Sequence, residues 1–144
     1  MKARDLMTSN PECVTPDESL QRAAQIMRDQ DVGAVPVVDD RTSMRLTGVI
    51  TDRDITIRHV AEGHKGNETV RDHMSSNVRS VGPDATSDEV LTAMREAQVR
   101  RVPVVEDGGR LVGIIAQADI ATEGVGDRKV GETVEQISEG RAQR

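Results

Sequence analysis

Gly48-Val49-Ile50-Thr51-Asp52-Arg53-Asp54-Ile55 returns later in the chain as Gly113-Ile114-Ile115-Ala116-Gln117-Ala118-Asp119-Ile120. In both copies a glycine leads a β-branched run that reads as a short buried strand, and the polar residues after it start a helix. Working outward, Val35-Pro36-Val37-Val38-Asp39 precedes the first copy and Val102-Pro103-Val104-Val105-Glu106 the second. Arg4-Asp5-Leu6-Met7-Thr8-Ser9-Asn10 returns as Arg71-Asp72-His73-Met74-Ser75-Ser76-Asn77, and Val14-Thr15-Pro16-Asp17 returns as Val81-Gly82-Pro83-Asp84. A duplication of this extent predicts two copies of one supersecondary unit, related by pseudo-symmetry, with a cleft between them.

Each copy reads strand, helix, strand, strand, helix, which makes the fold class α+β. The first strand lies around Cys13 and Val14. Pro16-Asp17 ends it and opens a helix whose apolar stripe is Leu20, Ala23, Ala24 and Met27. In the second copy Thr86-Ser87-Asp88-Glu89 reads as a capping box, and the stripe is Val90, Leu91, Met94 and Ala97. Asp107-Gly108-Gly109 is a hairpin signal, and the first copy turns less regularly from Asp39 to Met44. The second helices run from Asp52 to about Ala61 and from Gln117 to about Thr122. The organisation is repeat 1 over 1–63, a linker over 64–69, repeat 2 over 70–124, and a polar tail over 125–144 with a short helix near Val134 to Ile137.

At 144 residues, each repeat alone would bury little apolar surface, so the two are expected to share a core. The chain has no Phe, Trp or Tyr, so the core is aliphatic. A net charge of -6 and the lack of an aromatic stacking platform argue against nucleic acid. No apolar stretch is long enough to cross a membrane. The single cysteine, Cys13, forms no intrachain disulfide. No secretory h-region follows the charged start; the cytoplasm is the expected compartment.

Where the third strand becomes a helix, free backbone N–H groups favour an anion. The Thr51 hydroxyl can donate to a phosphate, and one turn on, the Asp54 carboxylate can accept from the two hydroxyls of a ribose. The same two residues also suit a plain helix cap and a favourable first-turn acid. Asp119 repeats the acid in the second copy, whereas Ala116 replaces the threonine.

With these motifs in view, the stretch from Ala3 to about Glu123 resembles a tandem pair of CBS domains, the Bateman module. Asp5-Leu6-Met7-Thr8, Val35-Pro36-Val37-Val38-Asp39 and Gly48 to Asp54 carry the likeness. Thr51-Asp52-Arg53-Asp54 and Val99-Arg100-Arg101-Val102-Pro103-Val104 look most like small stand-alone bacterial pairs of the actinobacterial hypoxic-response type. The resemblance implies a non-enzymatic regulatory module that binds AMP, ADP, ATP or S-adenosylmethionine between its repeats. It implies ribose on Asp54 and Asp119, and phosphate on Thr51, with Ala116 lacking that donor. It further implies base contacts from Asn77, Val78 and Val99 at the Asp54 site, and from Asn10, Glu12 and Val32 at the Asp119 site. Arg100 and Arg101 stand where the first copy has Gly33 and Ala34; in related pairs such a residue faces phosphate, and the other reading is a solvated arginine pair. Such pairs also associate as homodimers through helix faces, where some methionines would lie, and act on a separate regulated protein.

Other signals are weaker. His59 and His64 are five apart and His73 lies further on, with no cysteine pair or clustered acid, so no metal site is expected. Cys13 reads as a small core residue. No nucleophile and base pair supports an enzyme. The competing function is a ligand-free dimerisation and partner-docking module.

Overall fold

The computed structural model describes residues 1–64 and 68–122. The tail and its expected short helix lie outside the described residues. The chain divides into two compact units, one made of 1–11 with 79–144 and the other of 12–78.

In the 12–78 unit, α2 (Leu20–Gln30) starts on Ser19, whose side chain accepts the Arg22 amide at 3.1 Å. The helix thus begins after the expected Pro16-Asp17, at the first residue with a capping hydroxyl before it. It ends on Asp31, in the left-handed region at φ 54°. Strand β2 (Ala34–Val38) pairs antiparallel with β3 (Leu46–Thr51). Val14 joins β2 only through an isolated parallel bridge to Val37, so the first expected strand is reduced to a single contact. After β3 come α3 (Asp52–Asp54) and a π-helix over Ile55–Val60. The core is Val14, Leu20, Ala23, Ile26, Met27, Val35, Val37, Ile50 and Val70. Ala24, expected on the apolar stripe, is exposed, and Ile26 is buried instead.

The other unit repeats this plan. α4 (Ser87–Ala97) is capped by Thr86, which accepts the Glu89 amide at 3.2 Å. It ends on left-handed Gln98. β4 (Arg101–Val105) pairs with β5 (Leu111–Ala116), which continues into α5 (Gln117–Thr122). The turn at Asp107–Gly109 places Gly108 and Gly109 at positive φ, as the hairpin signal requires. Val81 bridges Val104 in parallel, as Val14 does Val37. The core is Ala3, Leu6, Val90, Leu91, Ala93, Met94, Val102, Val104, Ile115 and Ile120.

The expected sharing of a core takes the form of exchanged lead-in segments. α1 (Ala3–Leu6) and β1 (Thr8–Ser9), from the first sequence repeat, complete the unit built on the second, with β1 pairing along β5. A 3₁₀ turn over Val70–Asp72, from the second repeat, completes the unit built on the first, and Ser75 bridges Val49. Arg4 reaches Asp84, and Arg71 reaches Asp17 at 2.8 Å, the same ion pair made twice. The leading glycines of the motif permit this crossing. A Cβ on Gly48 would sit 2.5 Å from the Ser75 carbonyl, and a Cβ on Gly113 would strike the Met7 side chain.

Two aspartate corners and a histidine cluster

Thr51 caps α3, its hydroxyl accepting the Asp54 amide at 3.0 Å, and Asp54 Oδ2 accepts the Thr51 amide at 3.0 Å. This reciprocal box realises the cap reading without exhausting either group. The hydroxyl keeps its proton to donate, and the carboxylate keeps Oδ1 and unused lone pairs. The Asp54 side chain is 12% exposed, and Arg58 Nε stands 3.8 Å from its Oδ1. The other end of Arg58 donates to the His73 carbonyl at 3.4 Å.

The second corner is the same turn without the hydroxyl. Asp119 Oδ2 accepts the Ala116 amide at 2.8 Å. The corners agree further in the backbone, where Asp52 N donates to the Gly33 carbonyl and Gln117 N to the Arg100 carbonyl, both at 2.9 Å. Arg101 opens β4 and pairs across the sheet with Ala116; Ala34 pairs with Thr51. Arg101 is half-buried and Arg100 exposed.

The other expected base-contact residues divide by unit. Asn77, Val78, Val32 and Glu12 belong to the unit that carries Asp54. Asn10, Val99, Arg100 and Arg101 belong to the unit that carries Asp119. Asn10 is in the left-handed region at φ 50°, and its amide donates to Val112. Asn10, Glu12 and Asn77 are exposed, whereas Val32, Val78 and Val99 are half-buried.

Sequence spacing gave no reason to group the histidines, and the fold gathers them. His59 Nδ1 lies 3.0 Å from Glu68 Oε2, His64 Nδ1 lies 3.0 Å from Glu68 Oε1, and His73 Nε2 is against Glu68 Oε2. One ligand atom from each of the four lies within 4.8 Å of all the others. His73 is 5% exposed and His64 44%. The three imidazoles hold the Glu68 carboxyl down at about 2, His73 contributing most.

The cause of the gathering is the π-helix. Its bonds run from residue i to i+5, as in Ala61 N to Thr56 O at 2.8 Å, and the turn after it repeats that span, with His64 N donating to His59 O at 3.1 Å. Residues five apart, which an α-helix would splay, are thereby brought near one another. Glu68 drew no notice in the sequence; it is held by its carbonyl, which accepts the Leu20 amide at 3.0 Å. Three nitrogens and one carboxylate oxygen at this separation fit a tetrahedral zinc ion, whose ligand atoms stand about 3.3 Å apart for bonds of about 2.0–2.1 Å. Four protein ligands make such a site closed, which is the structural rather than the catalytic pattern.

Cys13 is buried, and burial raises its thiol above the ordinary range against the opposing pull of Arg41. Arg41 Nη1 approaches its sulfur at 3.8 Å, while Nη2 holds Glu18 at 2.9 Å. No helix among the described residues is long and apolar enough to cross a membrane.

A profile of the CBS domain matches residues 3–59 and 70–126. Hypoxic response protein 1 of Mycobacterium tuberculosis (strain H37Rv) is 43% identical over 120 residues, which cover 83% of this chain and 82% of that one. A crystal structure of Hypoxic Response Protein I with two coordinated zinc ions aligns at TM-score 0.78 and 42% identity, over 87% of this chain and all of that one. CBSX2 in complex with AMP aligns at TM-score 0.71 and 25% identity, over 85% and 94% of the two chains. The CBS domain pair of MJ0100, in complex with 5′-methylthioadenosine and S-adenosyl-L-methionine, aligns at 0.74 and 29%, over 85% and 94%.

Proposed function

Because the chain belongs to the CBS-domain family and carries two such domains, we propose that it is a non-enzymatic regulatory module for an adenosyl ligand, held at the Asp54 and Asp119 corners. The observation that carries this is the repeated turn. In each unit a carboxylate is fixed by the amide three residues before it, at 3.0 and 2.8 Å, and a carboxylate so held is the acceptor that a ribose diol needs. The AMP complex of CBSX2 and the methylthioadenosine and S-adenosylmethionine complex of MJ0100 support the same ligand class. Asn77, Val78 and Val99, and Asn10, Glu12 and Val32, remain the residues to mutate for base contacts. Binding of AMP, ADP or ATP is expected to stabilise the folded chain by mass action, about 2.7 kcal/mol at one hundred times Kd, read as a rise in melting temperature. No rise with any adenosyl ligand at millimolar concentration would leave the ligand-free docking module as the reading.

A second reading concerns the metal, favoured by the convergence of His59, His64, Glu68 and His73 and by the zinc in the hypoxic response relative. In it, a zinc ion staples the π-helix to the lead-in segment of the same unit, and its role is to stabilise. It replaces the expectation of no metal. Metal analysis of the purified protein, before and after chelation, tests it. We further propose homodimerisation, to which the exposed Ile57 and Val60 of the π-helix would contribute, and action on a separate regulated protein.

A further inference from the structure

The two aspartate corners match in backbone and differ in charge. Four substitutions between the copies make the difference, Thr51 to Ala116, Ala34 to Arg101, Gly33 to Arg100 and Asp52 to Gln117, and each falls at a matched place. Ala34 faces Thr51 across its strand pair, whereas Arg101 faces Ala116. Gly33 offers its carbonyl to the Asp52 amide, whereas Arg100 offers its own to Gln117. Directly cross-strand residues carry their side chains on one face, about 4.5–5.5 Å apart at Cβ. The Arg101 side chain therefore rises beside the place where the missing hydroxyl of Ala116 would be.

The Asp54 corner thus holds two carboxylates, Asp52 and Asp54, the exposed Arg53 between them, and one neutral hydroxyl. A second cation, Arg58, is engaged with Asp54 itself and with the His73 carbonyl. The Asp119 corner holds one carboxylate and the Arg101 guanidinium across the strand pair, while Arg100 enters it through its carbonyl. Among the described residues neither Arg100 nor Arg101 makes an ion pair. Gln117 Nε2 is buried with no hydrogen-bond partner. A buried donor left without an acceptor is costly, and an acceptor-rich ligand group relieves that cost. The donors of this corner ask for anionic oxygens; the acceptors of the other repel them.

Resting on the adenosyl reading above, we propose that the corners sort ligands by charge. The Asp119 corner takes an adenosyl phosphate, with Arg101 as the residue that selects for it. The Asp54 corner takes an adenosyl ligand without an anionic tail, either neutral or cationic at the 5′ position. This inverts the assignment that follows from Thr51 alone. A hydrogen bond from a charged guanidinium is about twice as strong as one from a neutral hydroxyl, and the carboxylate of Asp52 works against phosphate beside Thr51.

Calorimetric titration of ATP and of 5′-methylthioadenosine into the full chain tests this. The proteins are wild type, Asp54→Asn, Asp119→Asn and Arg101→Gln, the asparagines keeping an oxygen for the turn. ATP binding is expected to survive Asp54→Asn, to be lost in Asp119→Asn, and to weaken about tenfold or more in Arg101→Gln, the size of one charged hydrogen bond. Methylthioadenosine is expected to show the reverse dependence on the two aspartates and no response to Arg101→Gln. ATP lost in Asp54→Asn and retained in Asp119→Asn overturns the sorting while leaving the adenosyl reading intact. ATP affinity unchanged in Arg101→Gln overturns the role given to that residue. Failure of wild type to bind either ligand overturns both readings together.

Discussion

Asp54 and Thr51 exchange hydrogen bonds, each side chain accepting the other's amide at 3.0 Å. Cap and ligand site therefore share the same atoms, and a substitution there acts on stability as well as on binding. Thr51→Val removes only the hydroxyl. It is expected to cost about 0.5–2 kcal/mol, the usual worth of a cap, measured by urea denaturation. By the charge-sorting argument it leaves ATP affinity unchanged.

The lead-in segments cross the motif strands at Gly48 and Gly113, where an added Cβ would meet them. Gly48→Ala puts a Cβ 2.5 Å from the Ser75 carbonyl, a backbone atom that also bonds the Val49 amide at 2.9 Å. Overpacking of this kind costs about 1–3 kcal/mol. Gly113→Ala meets Met7 from its sulfur back to its Cβ at 2.9 Å, a side chain whose outer atoms can shift further than a backbone carbonyl. The denaturation midpoint is expected to fall further for Gly48→Ala than for Gly113→Ala.

The histidine cluster predicts a metal dependence with a definite sign in pH. Zinc is expected to raise the melting temperature, and His73→Ala to abolish the rise. Binding requires the ligand nitrogens free of protons, so the rise is present at neutral pH and fades on acidification. In chelated protein the three imidazoles still hold Glu68. Its carboxyl is held at about 2 in the fold, below the unfolded value of about 4.3. That contribution is fully present above about pH 4.3 and is lost as pH falls toward 2. Thermal scans from pH 7 to 2, with and without zinc, measure both effects.

Cys13 is expected to react slowly with iodoacetamide at pH 7, because burial holds its thiol protonated and only the thiolate attacks. The rate is expected to rise steeply under denaturing conditions. Mass spectrometry of the alkylated chain follows it.

The repeat, the α+β class and the two acids were legible in the chain because they rest on local patterns: a glycine-led β-branched run and an acid three residues into the turn. The exchange of lead-in segments was not, since nothing in Arg4 or Arg71 says which copy's aspartate it will meet. The histidine cluster was hidden for a sharper reason. His59 and His64 look badly spaced for an α-helix, and the segment between Asp54 and Ala61 winds instead as a π-helix. Arg101 drew notice as a charge. Its relation to Ala116 depends on strand register, which the alternation of residues alone does not fix.

The most direct test of the central claim is calorimetric titration of AMP, ATP, S-adenosylmethionine and 5′-methylthioadenosine into wild type and into the Asp54→Asn, Asp119→Asn double variant. Saturable binding of at least one of them to wild type is expected, with its loss in a double variant that keeps the wild-type circular dichroism spectrum. Absence of binding to wild type at millimolar ligand, or undiminished binding to the double variant, would contradict it.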